Sequence, residues 1–165
     1  MLKRTTIGAL ALSASALVGL VMHEGYKEKA YIPVAGDVPT VGFGSTIKED
    51  GSPVQLGDTI TPTKALKRSH HHIQKDEVGV KQCVSAPVSQ AEYDLLIDFS
   101  YQYGVGTLCG SSIVKNINKG NYIEACNSYL NFKYAGGVNC SRRNSGCYGV
   151  WKRSKERHKT CMAAQ

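Results

Sequence analysis

The stretch "HEGYKEKAYIPVAGDVPTVGFGST", residues 23–46, holds Glu24, Glu28 and Asp37 in one short segment. Two carboxylates working together can hydrolyse a glycosidic bond. One gives a proton to the leaving oxygen, and the other, ionised, steadies charge or activates water. Glu24 follows an apolar, helix-like run and precedes Gly25, which places it at a helix end beside low-dielectric surface. Desolvation there is expected to raise its pKa and keep it protonated near neutrality, as a general acid requires. Glu28 sits between Lys27 and Lys29 and reads more simply as a charged surface residue. Asp37, in "AGDVPT", falls at an expected hairpin turn, where aspartate also has a purely structural use. Position alone makes Glu24 a candidate and no more, because most carboxylates are solvated.

Other reactive groups offer less. His70, His71 and His72 are neighbours on an expected helix, so they splay about 100° apart and cannot converge on one ion. A solvated helix face is the simpler reading. "TVGFGS" lacks both GxGxxG and GxxxxGK[ST], and no helix opens directly after it, so it is no phosphate loop. No GxSxG elbow is present. Gly104 and Gly106 in "YQYGVG" read as helix-end glycines at positive φ.

The cysteines Cys83, Cys109, Cys126, Cys140, Cys147 and Cys161 are even in number and form no CxxC pair. That disfavours zinc and fits disulfides in an oxidising compartment. Many connectivities are open to six cysteines. The pairing expected here is Cys140–Cys147 as a short loop closure, with Cys126–Cys161 and Cys83–Cys109. Closing the short ring is worth roughly 2–3 kcal/mol in the chain-entropy model.

The elements that must position these groups follow from length, charge and periodicity. The 165 residues suffice for one domain with a real core once the first twenty or so are set aside. Lys plus Arg (20) exceed Asp plus Glu (13), a net charge of +7. That excess suits nucleic acid, anionic lipid or an anionic wall polymer without choosing among them, and it also serves plain solubility. Lys3 and Arg4 precede a charge-free run from Thr5 to Met22. The run is about long enough to span a bilayer, with the N-terminus cytoplasmic. Its abundant Gly, Ala, Ser and Thr make it a weak anchor. Ala14-Ser15-Ala16 keeps a cleaved signal peptide as the alternative.

From Tyr31 to about Ile60 the chain is turn-rich: "VPTVGFGST" reads as a strand and "EDGSP" as a turn. Helices dominate from Thr61. Thr61-Pro62 opens one, and Ser89 with Glu92 forms a capping box ahead of Tyr93, Leu96, Ile97 and Ser100 or Tyr101. Asn121 with Glu124 repeats the device before Ile123, Cys126 and Leu130, while Trp151, Ser154, His158 and Cys161 share a face of the last helix. The class is therefore α+β, a small β-hairpin lobe and a larger helical lobe. A cleft between two such lobes would suit an extended substrate.

"HEGYKEKAY…PTVGFGST" resembles the signature of phage-type lysozymes, endolysins of glycoside hydrolase family 24. The resemblance continues through "ITPTKALKRSHHHIQKDE", "QAEYDLLIDFSYQYGVGTLCGSSIVKNINKG", "YAGG" and "GVWKRSKERHKTC", over about residues 20–161. It implies a lysozyme-like fold and a muramidase cleaving the β-1,4 bond between N-acetylmuramic acid and N-acetylglucosamine. In the family a second acid, Asp or sometimes Cys, follows the Glu by nine residues and a Thr follows by six more. Here position 33 is Pro33, and the spacing to Thr40 is one residue longer, as if the turn after Gly36 held an insertion. The expected site is therefore Glu24 as acid, Asp37 in the second acid's role and Thr40 helping to hold water.

The N-terminus resembles the signal-anchor-release subtype. Residues 1–22 would tether the enzyme to the inner membrane and refold as the first helix on release, and residues 23–165 would form the catalytic domain. Expected with this are peptidoglycan as substrate, periplasmic release, a monomer, and neither cofactor, metal nor nucleic acid. A non-catalytic basic wall-binding protein and a lytic transglycosylase are the rivals.

Overall fold

A computed structural model describes residues 3–33 and 36–165. The chain forms two compact units, Ser13–Lys75 and one built from Met1–Leu12 with Asp76–Gln165.

The first unit opens with α1 (Ala14–Glu24). Ser13 caps it, its Oγ accepting the Ala16 N–H at 3.1 Å. Gly25, at φ 69°, ends it and donates its N–H to the Val21 carbonyl at 3.1 Å. β1 (Lys27–Tyr31) and β2 (Thr40–Gly42) then pair antiparallel, Lys27 opposite Gly42 and Tyr31 opposite Thr40, with an irregular register between. The strand expected over "VPTVGFGST" is thus cut to three residues. Gly42 (φ 68°) and Gly44 (φ 84°) turn the backbone so that Val41 and Ser45 bond each other, 2.9 and 3.0 Å. β1 is mostly exposed and charged, which hid it from an apolar pattern.

The segment to Ile60 folds back on β1. The Ala30 N–H donates to the Asp58 carbonyl, and the Ile60 N–H to the Glu28 carbonyl, both at 2.9 Å. Val41, Val54, Ile60 and Ala65 form the core of this unit, with Tyr26, Ala30 and Phe43 against it. Ala65 belongs to α2 (Pro62–Cys83), which Thr61 opens as expected, its Oγ1 accepting the Lys64 N–H at 3.4 Å. A Cβ on Gly42 would lie 2.9 Å from the Ala65 Cβ, so only glycine lets this turn approach α2. His70, His71 and His72 are all exposed on α2.

The second unit holds the last part of α2, then α3 (Gln90–Tyr103), α4 (Val105–Gly110), α5 (Ser112–Asn118), α6 (Tyr122–Ser128), a β3–β4 hairpin (Tyr134–Ala135, Val138–Asn139) and α7 (Tyr148–Ala163). The capping box on α3 forms in both directions: the Ser89 Oγ accepts the Glu92 N–H at 3.3 Å, and the Glu92 carboxylate accepts the Ser89 N–H at 2.7 Å. Tyr93, Leu96, Ile97 and Ser100 are buried with Phe99, whose ring meets Phe132 at 4.5 Å and Tyr103 at 4.6 Å.

All three expected disulfides are present. Cys83–Cys109 joins α2 to α4, Cys126–Cys161 joins α6 to α7, and Cys140–Cys147 closes the loop before α7. A Cβ on Gly79 would lie 2.7 Å from Val105 Cγ1, so α2 and α4 meet nearly backbone to side chain beside the first bridge.

Three readings differ from the structure. Gly104 (φ 82°) ends α3 as expected, whereas Gly106 lies inside α4 and is not at positive φ. Asn121 occupies the N-cap of α6 without a side-chain cap bond, and Ile123 is exposed while Ala125, Cys126 and Tyr129 are buried. On α7 the buried side chains are Ser154, Arg157 and Cys161. Arg157 takes an inward place because Asp98 and Gln102 of α3 pair its guanidinium.

The Thr5–Met22 run is not a single helix. A 3-10 turn at Ile7–Ala9 precedes α1, and among the described residues no helix is long and apolar enough to cross a membrane.

Candidate active site

The site is built within the Ser13–Lys75 unit. Glu24 is the last residue of α1 and half-buried. Its carboxylate lies against the backbone of Gly44, where an added Cβ would be 3.4 Å from Oε2. The helix end and the glycine turn of "TVGFGS" therefore meet at Glu24, the expected proton donor. A Cβ at position 44 would come into van der Waals contact with that acid, in a backbone conformation (φ 84°) that already favours glycine.

Tyr26 and Phe43 hold the two sides of this meeting together. Their rings lie 5.6 Å apart, and the Tyr26 hydroxyl donates to the Ile60 carbonyl at 2.5 Å. Loss of surrounding water raises the Tyr26 pKa, with Glu28 adding to the effect. Sequence reasoning missed Tyr26. Its signal, an aromatic two residues after Glu24, does not stand out in a chain with nine tyrosines.

Thr40 opens β2 and is buried, with Oγ1 donating to the Val38 carbonyl at 3.2 Å. With its proton committed there, the hydroxyl oxygen is left to accept a hydrogen bond from water. Asp37 is exposed, and its Oδ1 accepts the N–H of the next residue, Val38, at 2.8 Å. It thus performs the structural turn role that its position also allowed, with Oδ2 remaining for other partners. Thr40 and Asp37 therefore share Val38 as a common partner, one through its carbonyl and the other through its amide.

Ion pairs brace the loop behind the hairpin. Arg68 forks onto Glu49 at 2.7 and 3.0 Å, and Lys48 meets Asp58 at 2.9 Å. The Arg68 hydrogen bond holds Glu49 below the usual carboxylate range, while the Gln55 N–H and then Lys48 do the same for Asp58. Among the described residues no group of three or more His, Cys, Asp or Glu could hold a metal ion.

A unit in which a helix ends on a glutamate against a glycine-turned hairpin, together with a helical unit, defines a lysozyme-like α+β protein. The structure superposes on an endolysin from Escherichia coli O157:H7 phage FAHEc1 with a TM-score of 0.81, 24% identity, and coverage of 96% of this chain and 97% of that one. Residues 21–156 match the phage lysozyme family model. The endolysin of Salmonella phage P22 is 32% identical over 127 residues, 77% of this chain and 86% of that protein. A SAR-endolysin of Enterobacteria phage PA-2 is 25% identical over 132 residues, 79% of this chain and 78% of that one. The chain belongs to the phage lysozyme family. It is accordingly a glycoside hydrolase, an endolysin-type muramidase, and neither the non-catalytic rival nor the lytic transglycosylase is favoured.

Proposed function

We propose that Glu24 is the proton donor in cleavage of the β-1,4 bond between N-acetylmuramic acid and N-acetylglucosamine. The observation that carries this reading is the seating of the Glu24 carboxylate at the end of α1 against Gly44. As the glycosidic bond breaks, the leaving oxygen takes the Glu24 proton and positive charge develops at the anomeric carbon. Thr40 accepts a hydrogen bond from the attacking water, and the ionised Asp37 steadies the charge or activates that water. A zymogram on embedded cell walls tests the assignment. Wild type clears, Glu24→Gln does not, and Asp37→Asn loses on the order of a hundredfold. Near-wild-type clearing by Asp37→Asn would remove Asp37 from the site, and no clearing by folded wild type would sink the whole reading.

The same chain reaches its substrate as a tethered enzyme that leaves the inner membrane for the periplasm. Supporting this is the character of α1, apolar on nearly all its faces, with Val18 (55%) and Met22 (77%) exposed to water. Lys3 and Arg4 ahead of the charge-free run favour a cytoplasmic start. Fractionation of expressing cells should place the protein with membranes and move it to the soluble fraction when an uncoupler is added. A constitutively soluble or cleaved product would overturn the tether.

A further inference from the structure

Residues 3–12 lie on the helical unit as a strap fixed at both ends. At the start, Thr5 and Val88 exchange backbone hydrogen bonds of 2.9 and 3.0 Å. At the far end, the Leu12 N–H donates to Glu77 Oε1 at 2.8 Å and the Ala11 carbonyl accepts from Gln90 Nε2 at 2.9 Å. The Tyr93 hydroxyl donates to the same Glu77 oxygen at 2.7 Å. Ile7, between the two ends, is buried.

The strongest contacts belong to Arg4. Its guanidinium forks onto Glu92, Nη2 to Oε1 at 2.6 Å and Nε to Oε2 at 3.0 Å. Nη2 also donates to Gln165 Oε1 at 2.6 Å, and Gln165 Nε2 returns a bond to Glu92 Oε1 at 3.0 Å. The guanidinium lies 3.6 Å from the centroid of the Tyr122 ring. Glu92 is 4% exposed and Arg4 17%. A planar, forked cation over an aromatic face meets a carboxylate pre-aimed by the Ser89 N–H, which is geometry that Arg satisfies and Lys does not. Glu92 is held as well by the α3 capping box, a contact that does not involve Arg4.

Arg4 cannot be here and also remain on the cytoplasmic side of an anchor. We propose that Glu92, Gln165 and Tyr122 form a guanidinium socket that captures the chain's own Arg4 after the N-terminal segment leaves the bilayer, and so opposes its return. The direction of capture rests on the tether reading; the socket rests on its own contacts. Leaving a buried carboxylate without its cation is costly, which favours the captured state.

Two measurements test this. In purified full-length protein, Arg4→Gln should speed hydrogen exchange at the Thr5, Leu12 and Val88 amides by roughly tenfold or more, with α5 and α6 amides unchanged. Arg4→Lys should keep only part of the protection. Unchanged strap exchange in Arg4→Gln, or full protection in Arg4→Lys, would overturn the socket. In cells, Glu92→Gln keeps a residue able to complete the capping box and leaves the N-terminal charges intact. Its membrane-bound fraction after uncoupling should exceed that of wild type by roughly twofold or more. Equal fractions overturn the claim that capture opposes return. A wild type never found with membranes overturns the tether instead, while the exchange data still judge the socket.

Discussion

Gly44 brings the glycine turn of the family motif up to the Glu24 carboxylate. Gly44→Ala adds a methyl 3.4 Å from the Glu24 carboxylate at φ 84°. The left-handed conformation should cost about 1–2 kcal/mol of stability, and relaxation of that strain beside the acid should lower kcat on the order of tenfold. Gly51→Ala is the control: it has the same φ of 84° with nothing within 4 Å, so turnover should hold while stability falls similarly. The placement of Glu24 at a helix end and of Thr40 on a short strand was readable because a motif ties their spacing to one turn. Asp37 was put in the second acid's role because Pro33 stands at the family's acid position, although a turn aspartate has two possible uses. Its bond to the Val38 amide is a choice of rotamer, which spacing does not encode.

At the scale of elements, the local rules carried furthest. Ser89→Ala should cost about 1 kcal/mol in denaturant unfolding, because the Glu92 N–H loses its cap. Burial pushes the Glu92 carboxyl up, yet the Arg4 guanidinium, the Ser89 N–H and the Gln165 amide outweigh it and leave its pKa below the ordinary 4.5. Glu49 and Asp58 are depressed as well. For a depressed carboxyl the added stability is present above the ordinary pKa and vanishes as pH falls through the folded value. Thermal unfolding should therefore be steady near neutrality and drop below about pH 4.5, and Glu92→Gln should flatten part of that drop. The Thr61 start of α2 and the α3 capping box were readable because each is settled within four residues. Asn121 shows the limit: with φ −88° and ψ 68° its side chain makes no cap bond, although its neighbours spell the same device. Arg157 was illegible for the opposite reason, since its partner Asp98 lies 59 residues away.

For the molecule as a whole, the net charge of +7 should draw the enzyme to anionic wall polymers. Raising ionic strength from about 0.01 to 0.15 M shortens the screening length from roughly 30 to 8 Å, so binding to isolated walls should weaken steeply over that range. Co-sedimentation at graded salt would measure it. The N-terminal reading needed two environments to be complete. The charge-free run suits a segment in lipid under the proposed tether, while the structure gives the same residues as a 3-10 turn and α1.

All three cystine links fall between residues 83 and 161, and none touches the stretch that holds Glu24 and its hairpin. The larger unit is thus cross-linked three times and the smaller one is held by packing and hydrogen bonds without a cystine. A reductant should therefore lower the unfolding temperature of the helical unit while the hairpin unit keeps every one of its own covalent links.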